Sequence, residues 1–119
     1  MGSIVQARCG SCDFAVPMTL GGGMRSHKEL CAFPALCSRC GAFWPVNLLA
    51  RPVKCPTCEA EAMVAYDDPS LAGEPGRETV FSWNVVDEIG REVRLSSGTY
   101  LCPKCKARTL RFSRTGHWD

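Results

Sequence analysis

Cys37-Ser38-Arg39-Cys40-Gly41, followed after 14 residues counted from Cys40 by Cys55-Pro56-Thr57-Cys58, decides the fold of this 119-residue chain. A Cys-x-x-Cys turn lets two sulfurs face one ion while nearby backbone N–H groups point at those sulfurs. The same pattern recurs at Cys9/Cys12 and Cys102/Cys105, so eight of the nine cysteines fall into four pairs. Four thiolates complete one tetrahedral site, and eight complete two. The expected metal is zinc, two ions per chain, held by Cys9, Cys12, Cys37, Cys40, Cys55, Cys58, Cys102 and Cys105.

Working outward, length and composition fit that reading. A chain this short makes one domain, residues 1–119, and a small core often needs a staple. No charged-then-apolar leader opens the sequence, and no apolar run approaches the roughly 20 residues that cross a membrane. The expectation is therefore a cytoplasmic protein with reduced thiols and no membrane partner. The formal charge of +2 changes once the sites are counted. Each four-thiolate zinc site carries about −2, so two sites bring the total to about −2. The distribution is uneven: residues 59–92 hold nine acidic residues and two arginines, a net of −7, and the rest carries +9.

The chain reads as short antiparallel strands: Ile4–Arg8, Phe14–Leu20, Ala42–Leu49, Ala62–Tyr66, Thr79–Val86, Glu92–Leu95, Thr99–Leu101 and Ala107–Arg114. Gly21-Gly22-Gly23 breaks the pattern, and residues 24–31 are expected to form one or two helical turns. Residues 67–78 form a loop rich in Asp, Pro, Gly and Glu. Between the two central knuckles the expectation is one hairpin, Ala42–Leu49 out and Pro52–Lys54 back. Residues 36–66 here resemble the zinc ribbon family: a Cys-x-x-Cys-Gly knuckle, a short hairpin, then Cys-Pro-x-Cys. The resemblance implies a double zinc ribbon, a small β-rich metal-stabilised fold with an inner ribbon at 35–66. A nested outer ribbon would use residues 4–20 with 98–116. The sequential alternative pairs Cys9/Cys12 with Cys37/Cys40 and Cys55/Cys58 with Cys102/Cys105. Glu59 departs from the family's glycine after the second knuckle, where positive φ strains a side chain. The same motif also resembles rubredoxin, which makes iron and electron transfer the alternative to zinc.

Outside the knuckles, Cys31 and His27 stand four apart. The bland reading, a small buried cysteine beside a surface histidine, is preferred to a further metal contact or a reactive thiol activated by the imidazole. His117 reads as a surface residue. Trp44, Trp83, Phe81 and Phe43 read as core. Lys104, Lys106, Arg108, Arg111 and Arg114 form the candidate nucleic-acid surface, with Phe112 read as buried. In an extended strand Lys106, Arg108 and Arg114 would share a face and Arg111 would point away.

No Ser/His/Asp order, phosphate loop or His-x-Glu pattern is present, and all-thiolate sites leave no open coordination position. No small-molecule substrate is evident, and Asp67-Asp68 reads as turn chemistry rather than acid–base machinery. The expected function is non-enzymatic: a structural-zinc module presenting a basic surface to nucleic acid or a nucleoprotein complex. The alternative is a protein–protein adaptor in a larger assembly, carried by the acidic segment and the glycine-rich loop. A redox or holdase role ranks lower, because the repeated glycines of cysteine-rich chaperone domains are missing.

Overall fold

Period-two alternation builds the first strand: Ser3, Val5, Ala7 and Cys9 are buried, and Arg8 between them is exposed. A computed structural model of the chain describes residues 2–21, 31–50, 52–85 and 89–118. The described strands are β1 (Gly2–Cys9), β2 (Ala15–Gly21), β3 (Ala32–Cys37), β4 (Phe43–Asn47) and β5 (Met63–Ala65). They continue with β6 (Thr79–Val85), β7 (Arg91–Ser96) and β8 (Leu110–Trp118). Six of them form one sheet in the order β4-β3-β2-β1-β8, with β5 also on β3. All pairings are antiparallel, and β6 with β7 makes a separate two-stranded ribbon. The expected β-rich fold is therefore the observed one. Among the described residues, no helix is long and apolar enough to cross a membrane.

Strand β3 is absent from the sequence reading and holds the centre of the inner half. Its pattern is buried almost throughout, so it shows no alternation, and Pro34 argues against a central strand. The structure accommodates that proline. Pro34 stands opposite Pro45 of β4, and its carbonyl turns away to accept the Tyr66 N–H at 3.0 Å. Neither proline is therefore asked for a ladder donor. The expected return strand Pro52–Lys54 does not form: β4 pairs back onto β3, and β5 lines the other side of β3. Pro52 lacks the N–H that a return strand would need, and residues 48–50 turn the chain. Thr99–Leu101 shortens to bridges at Tyr100, and β8 starts at Leu110 rather than Ala107. The helical turns expected across 24–31 lie mostly outside the described residues.

The ribbon β6–β7 caps the core with Phe81, Val93 and Leu95, all buried. Phe81 meets Phe33 of β3 with ring centroids 6.0 Å apart. Behind it, the 97–99 turn packs against residues 73–76. A side chain on Gly76 or Gly98 would collide with the other segment's backbone, so only glycine fits there. Asp68 caps the short 3-10 turn Pro69–Leu71 by accepting the Ser70 N–H at 2.9 Å.

Tyr66 ties the halves together. It is fully buried, and its ring meets Phe43, Tyr100 and Phe112 at 5.4, 6.1 and 5.6 Å. Its hydroxyl donates to the Leu101 carbonyl at 2.8 Å, just before the last cysteine pair. Burial is the main cause that raises its pKa well above the usual range, so it stays a donor. Tyr66→Phe should cost about 1–2 kcal/mol by orphaning that carbonyl, and Tyr66→Ala about 3–5 kcal/mol by opening a cavity. Urea denaturation of metal-loaded protein checks both, and equal losses for the two variants would contradict this account.

Candidate metal centres

The eight paired cysteines gather into two clusters, Cys9/Cys12/Cys102/Cys105 and Cys37/Cys40/Cys55/Cys58. This is the nested arrangement, and the sequential alternative is not what the fold brings together. Within each cluster the sulfurs all lie within 4.8 Å of one another. In the outer cluster, Cys9 and Cys105 sulfurs are 3.6 Å apart, and Cys12 and Cys102 sulfurs 3.7 Å. In the inner one, Cys37 and Cys58 are 3.7 Å apart, and Cys40 and Cys55 3.5 Å. A tetrahedral ion with metal–sulfur bonds near 2.3 Å separates its sulfurs by about 3.8 Å. The donor set and its spacing fit a tetrahedral thiophilic ion in both clusters, and each could hold one. The arrangement is consistent with zinc-ribbon-like sites.

Three of the four knuckles share one backbone design. Cys37, Cys55 and Cys102 each donate their N–H to the carbonyl five residues on: Ala42, Ala60 and Ala107. Each also accepts, on its own carbonyl, the N–H four residues on, from Gly41, Glu59 and Lys106 at 2.9–3.0 Å. That closing residue must take positive φ: 77° at Gly41, 63° at Glu59 and 65° at Lys106. The strain expected at Glu59 is present, and Lys106 carries the same. Neither disturbs the turn, because the hydrogen bonds match those at Gly41. The first knuckle differs. Cys9 donates to Phe14, also five residues on, but Asp13 is not among the positive-φ residues.

The sulfurs accept further N–H bonds inside their own turns. Ser11 N–H donates to Cys9, Cys40 N–H to Cys37 and Thr57 N–H to Cys55, at 3.3–3.4 Å. The Thr109 hydroxyl lies 3.2 Å from the Cys9 sulfur, a contact the cysteine spacing does not reveal. Together these donors favour thiolate. The Thr109 hydroxyl, then the Ser11 N–H, draws Cys9 down to about 6 against the effect of burial. The Cys40 N–H does the same for Cys37, also to about 6. The second cysteines of the first two turns, Cys12 and Cys40, go the other way. Although the Phe14 N–H lowers Cys12, burial and the neighbouring cysteines outweigh it and push Cys12 up to about 12. Cys40 follows the same pattern, with Ala42 lowering it and burial and its neighbours raising it to about 12. Crowded thiolates repel, so full ionisation needs a cation among them.

The basic residues around the outer cluster are largely engaged. Lys104 pairs with Asp13, joining the two knuckles of the outer site across exposed surface. Lys106 brings its ammonium against the inner knuckle, 3.5 Å from where a Cβ on Gly41 would stand. Arg108 donates to the Ala72 carbonyl at 2.7 Å, and Arg111 to the Ser97 carbonyl at 3.1 Å. Arg114 is exposed on β8. Because β8 begins only at Leu110, Lys106 and Arg108 do not share a strand face with Arg114. Phe112 is buried, as expected.

Trp44 corrects the sequence reading. It is 42% exposed on β4, at the edge of the sheet, and donates its indole N–H to Thr57 of the inner knuckle at 2.8 Å. The polar N–H draws the ring over the knuckle instead of into the core. Phe81 is buried, and Phe43 and Trp83 are half-buried. Cys31 is fully buried and belongs to neither cluster, while His27 and the side chain of His117 lie outside the described residues. An open cleft of about 450 Å³ runs along Met63–Ala65, Asp67–Pro69 and Arg91. Its charges answer one another: Arg91 donates to both oxygens of Asp67, at 2.8 and 3.1 Å. No family model, curated protein or solved structure matches the chain.

Metal affinity should fall with pH. The loaded site carries no sulfur-bound protons, whereas the empty cluster keeps them on Cys12 and Cys40 at neutral pH. Competition with a chelator between about pH 8 and 5.5 should show affinity dropping more than about tenfold per unit. A flat profile would exclude thiolate ligation. Separately, Glu59→Gly relieves the φ strain at the inner knuckle. It should stabilise the loaded protein by about 0.5–1 kcal/mol in denaturant titration. Destabilisation would show that the Glu59 side chain has another role.

Proposed function

We propose that this chain is a non-enzymatic binding module. Two structural zinc ions set its shape, and a basic surface is offered to nucleic acid or a nucleoprotein complex. The observation that carries the zinc assignment is the pair of four-sulfur clusters, each with its ligand capacity filled by protein. A closed all-thiolate site leaves no position for substrate or for an activated water. Zinc is preferred to iron here because two closed four-thiolate sites in a small β-scaffold suit a structural ion. A cytoplasmic location accords with nine unbridged cysteines.

Charge supports the nucleic-acid assignment. Outside residues 59–92 the chain holds twelve basic and three acidic residues. One of those acids, Asp13, is already paired with Lys104. Meanwhile Arg91 pairs with Asp67 inside the acidic segment and so lies apart from the basic surface. Phosphate groups are the chemical partners of such a surface, and the interaction should weaken steeply with salt. A protein partner is the second reading, favoured by the exposed Trp44 at the sheet edge.

Elemental analysis of purified protein should give two zinc per chain without visible colour, whereas iron with visible absorption would turn the assignment to electron transfer. Zinc-loaded protein titrated with labelled RNA and DNA should bind at low salt and lose affinity as salt rises. No binding at about 50 mM salt would remove the nucleic-acid reading.

A further inference from the structure

The open face of the sheet places two arginines side by side. Arg8 of β1 is the direct cross-strand partner of Arg111 of β8. Residues opposed in this way hold their Cβ atoms about 5 Å apart on the same face. Both side chains are exposed. The strand neighbour of Arg8 on its other side is Ala15, too small to cover either guanidinium. Farther along the face come Gln6 opposite Ser113, with Pro17 beside Gln6. No carboxylate among these positions offsets the pair.

Like charges placed directly opposite are destabilising in a sheet. The usual remedy, an acid within reach, is absent: among the described residues no ion pair involves Arg8 or Arg111. Asp13, close by in sequence, is held by Lys104. Glu78 donates its backbone N–H to the Ser97 hydroxyl, near the carbonyl that Arg111 uses, yet its carboxylate forms no ion pair there. Each guanidinium carries five N–H donors in a rigid fork. Arg111 uses its Nη1 on the Ser97 carbonyl, which orients the side chain, and among the described residues no protein acceptor engages Arg8. The remaining donors match the oxygens of a phosphate, which takes forked hydrogen bonds from arginine.

We infer that Arg8 and Arg111 form a two-arginine clamp for a phosphate of a nucleic-acid backbone on the open face of β1 and β8. The inference rests on the nucleic-acid reading above and gives it a site. It also adds Arg8, which lies 103 positions from Arg111 and outside the C-terminal basic run. The described positions of this face, Ala15, Pro17, Gln6 and Ser113 around the arginines, include no aromatic ring for stacking on bases. The clamp therefore reads the phosphodiester and is indifferent to sequence.

The test uses the full zinc-loaded chain with fluorescein-labelled single-stranded RNA and duplex DNA, read by anisotropy over a salt series. Arg8→Gln and Arg111→Gln should each weaken binding about tenfold, uniformly across sequences, and reduce the salt slope by about one. Arg77→Gln, in the acidic segment, should leave binding unchanged. The melting temperature of free Arg8→Gln should equal or exceed that of the parent, because repulsion is relieved. A merely structural arginine would lower it, and that result overturns the clamp. Binding that persists undiminished in both variants also overturns the clamp while leaving the functional reading in place. Failure to bind either nucleic acid, with inorganic pyrophosphate still raising the parent's melting temperature but not the variants', overturns the nucleic-acid assignment and keeps an anion site. Failure in both assays removes the two together. Displacement of bound RNA by polyglutamate at equal charge concentration would replace the phosphodiester with an acidic protein partner.

Discussion

Four thiolates held within 4.8 Å of one another repel unless positive charge lies among them, and this fold builds that situation twice. Everything else follows from satisfying it. The outer cluster joins Cys9 and Cys12 to Cys102 and Cys105, which closes the sheet around its two most distant segments. The inner cluster fixes the C-terminal end of β3 and the turn after it to the knuckle preceding β5. Between them lies a thin core, where Tyr66 touches Phe43 on one side and Phe112 on the other. Hydrogen bonds from backbone N–H groups reach the sulfurs within their own turns and favour negative charge there.

Local spacing made the knuckles legible. A Cys-x-x-Cys turn needs only four residues, and its consequence for φ at the next position is equally local, so Glu59 could be singled out from the chain alone. Pairing was legible only in part: the short hairpin between the central knuckles favoured nesting, but the sequential alternative stayed open until the fold brought the sulfurs together. Strand β3 was not. A strand buried on both faces shows no period, and Pro34 is tolerated because its register opposite Pro45 asks no ladder donor of it, while its carbonyl serves the Tyr66 N–H. That fact belongs to register, which no local pattern encodes. For the same reason Thr109 beside Cys9 and Arg8 beside Arg111 were hidden, since each is created by strands meeting from opposite ends of the chain. Trp44 was misplaced because hydrophobicity alone ignores its N–H, which finds Thr57 at the edge of the inner knuckle.

Charge is arranged by segment as well as by site. Some acids of residues 59–92 are held within the fold's own surface: Asp67 takes Arg91, and Asp68 caps its turn. Several basic side chains around the outer knuckle are likewise engaged, but with uncharged carbonyls, which orient a guanidinium without neutralising it. A surface built this way keeps its positive potential while holding its donors still, and that is the condition for binding an anion with little loss of side-chain freedom.

The register of β1 against β8 sets how the molecule would respond to tension. Gly2 pairs with Trp118 at one end of the ladder, and Cys9 pairs with Leu110 at the other. A pull applied at the two ends of this sheet edge would open the ladder like a zipper, one rung after another, starting at Gly2 and Trp118. The bulge near Ile4 and Val5 offers an early weak rung. Peeling then runs into the cluster that contains Cys9 and Cys105, where, with an ion bound, metal–sulfur bonds would have to break before the chain could lengthen further. An occupied outer centre would thus work as a mechanical stop, leaving the inner half unloaded until that stop gave way.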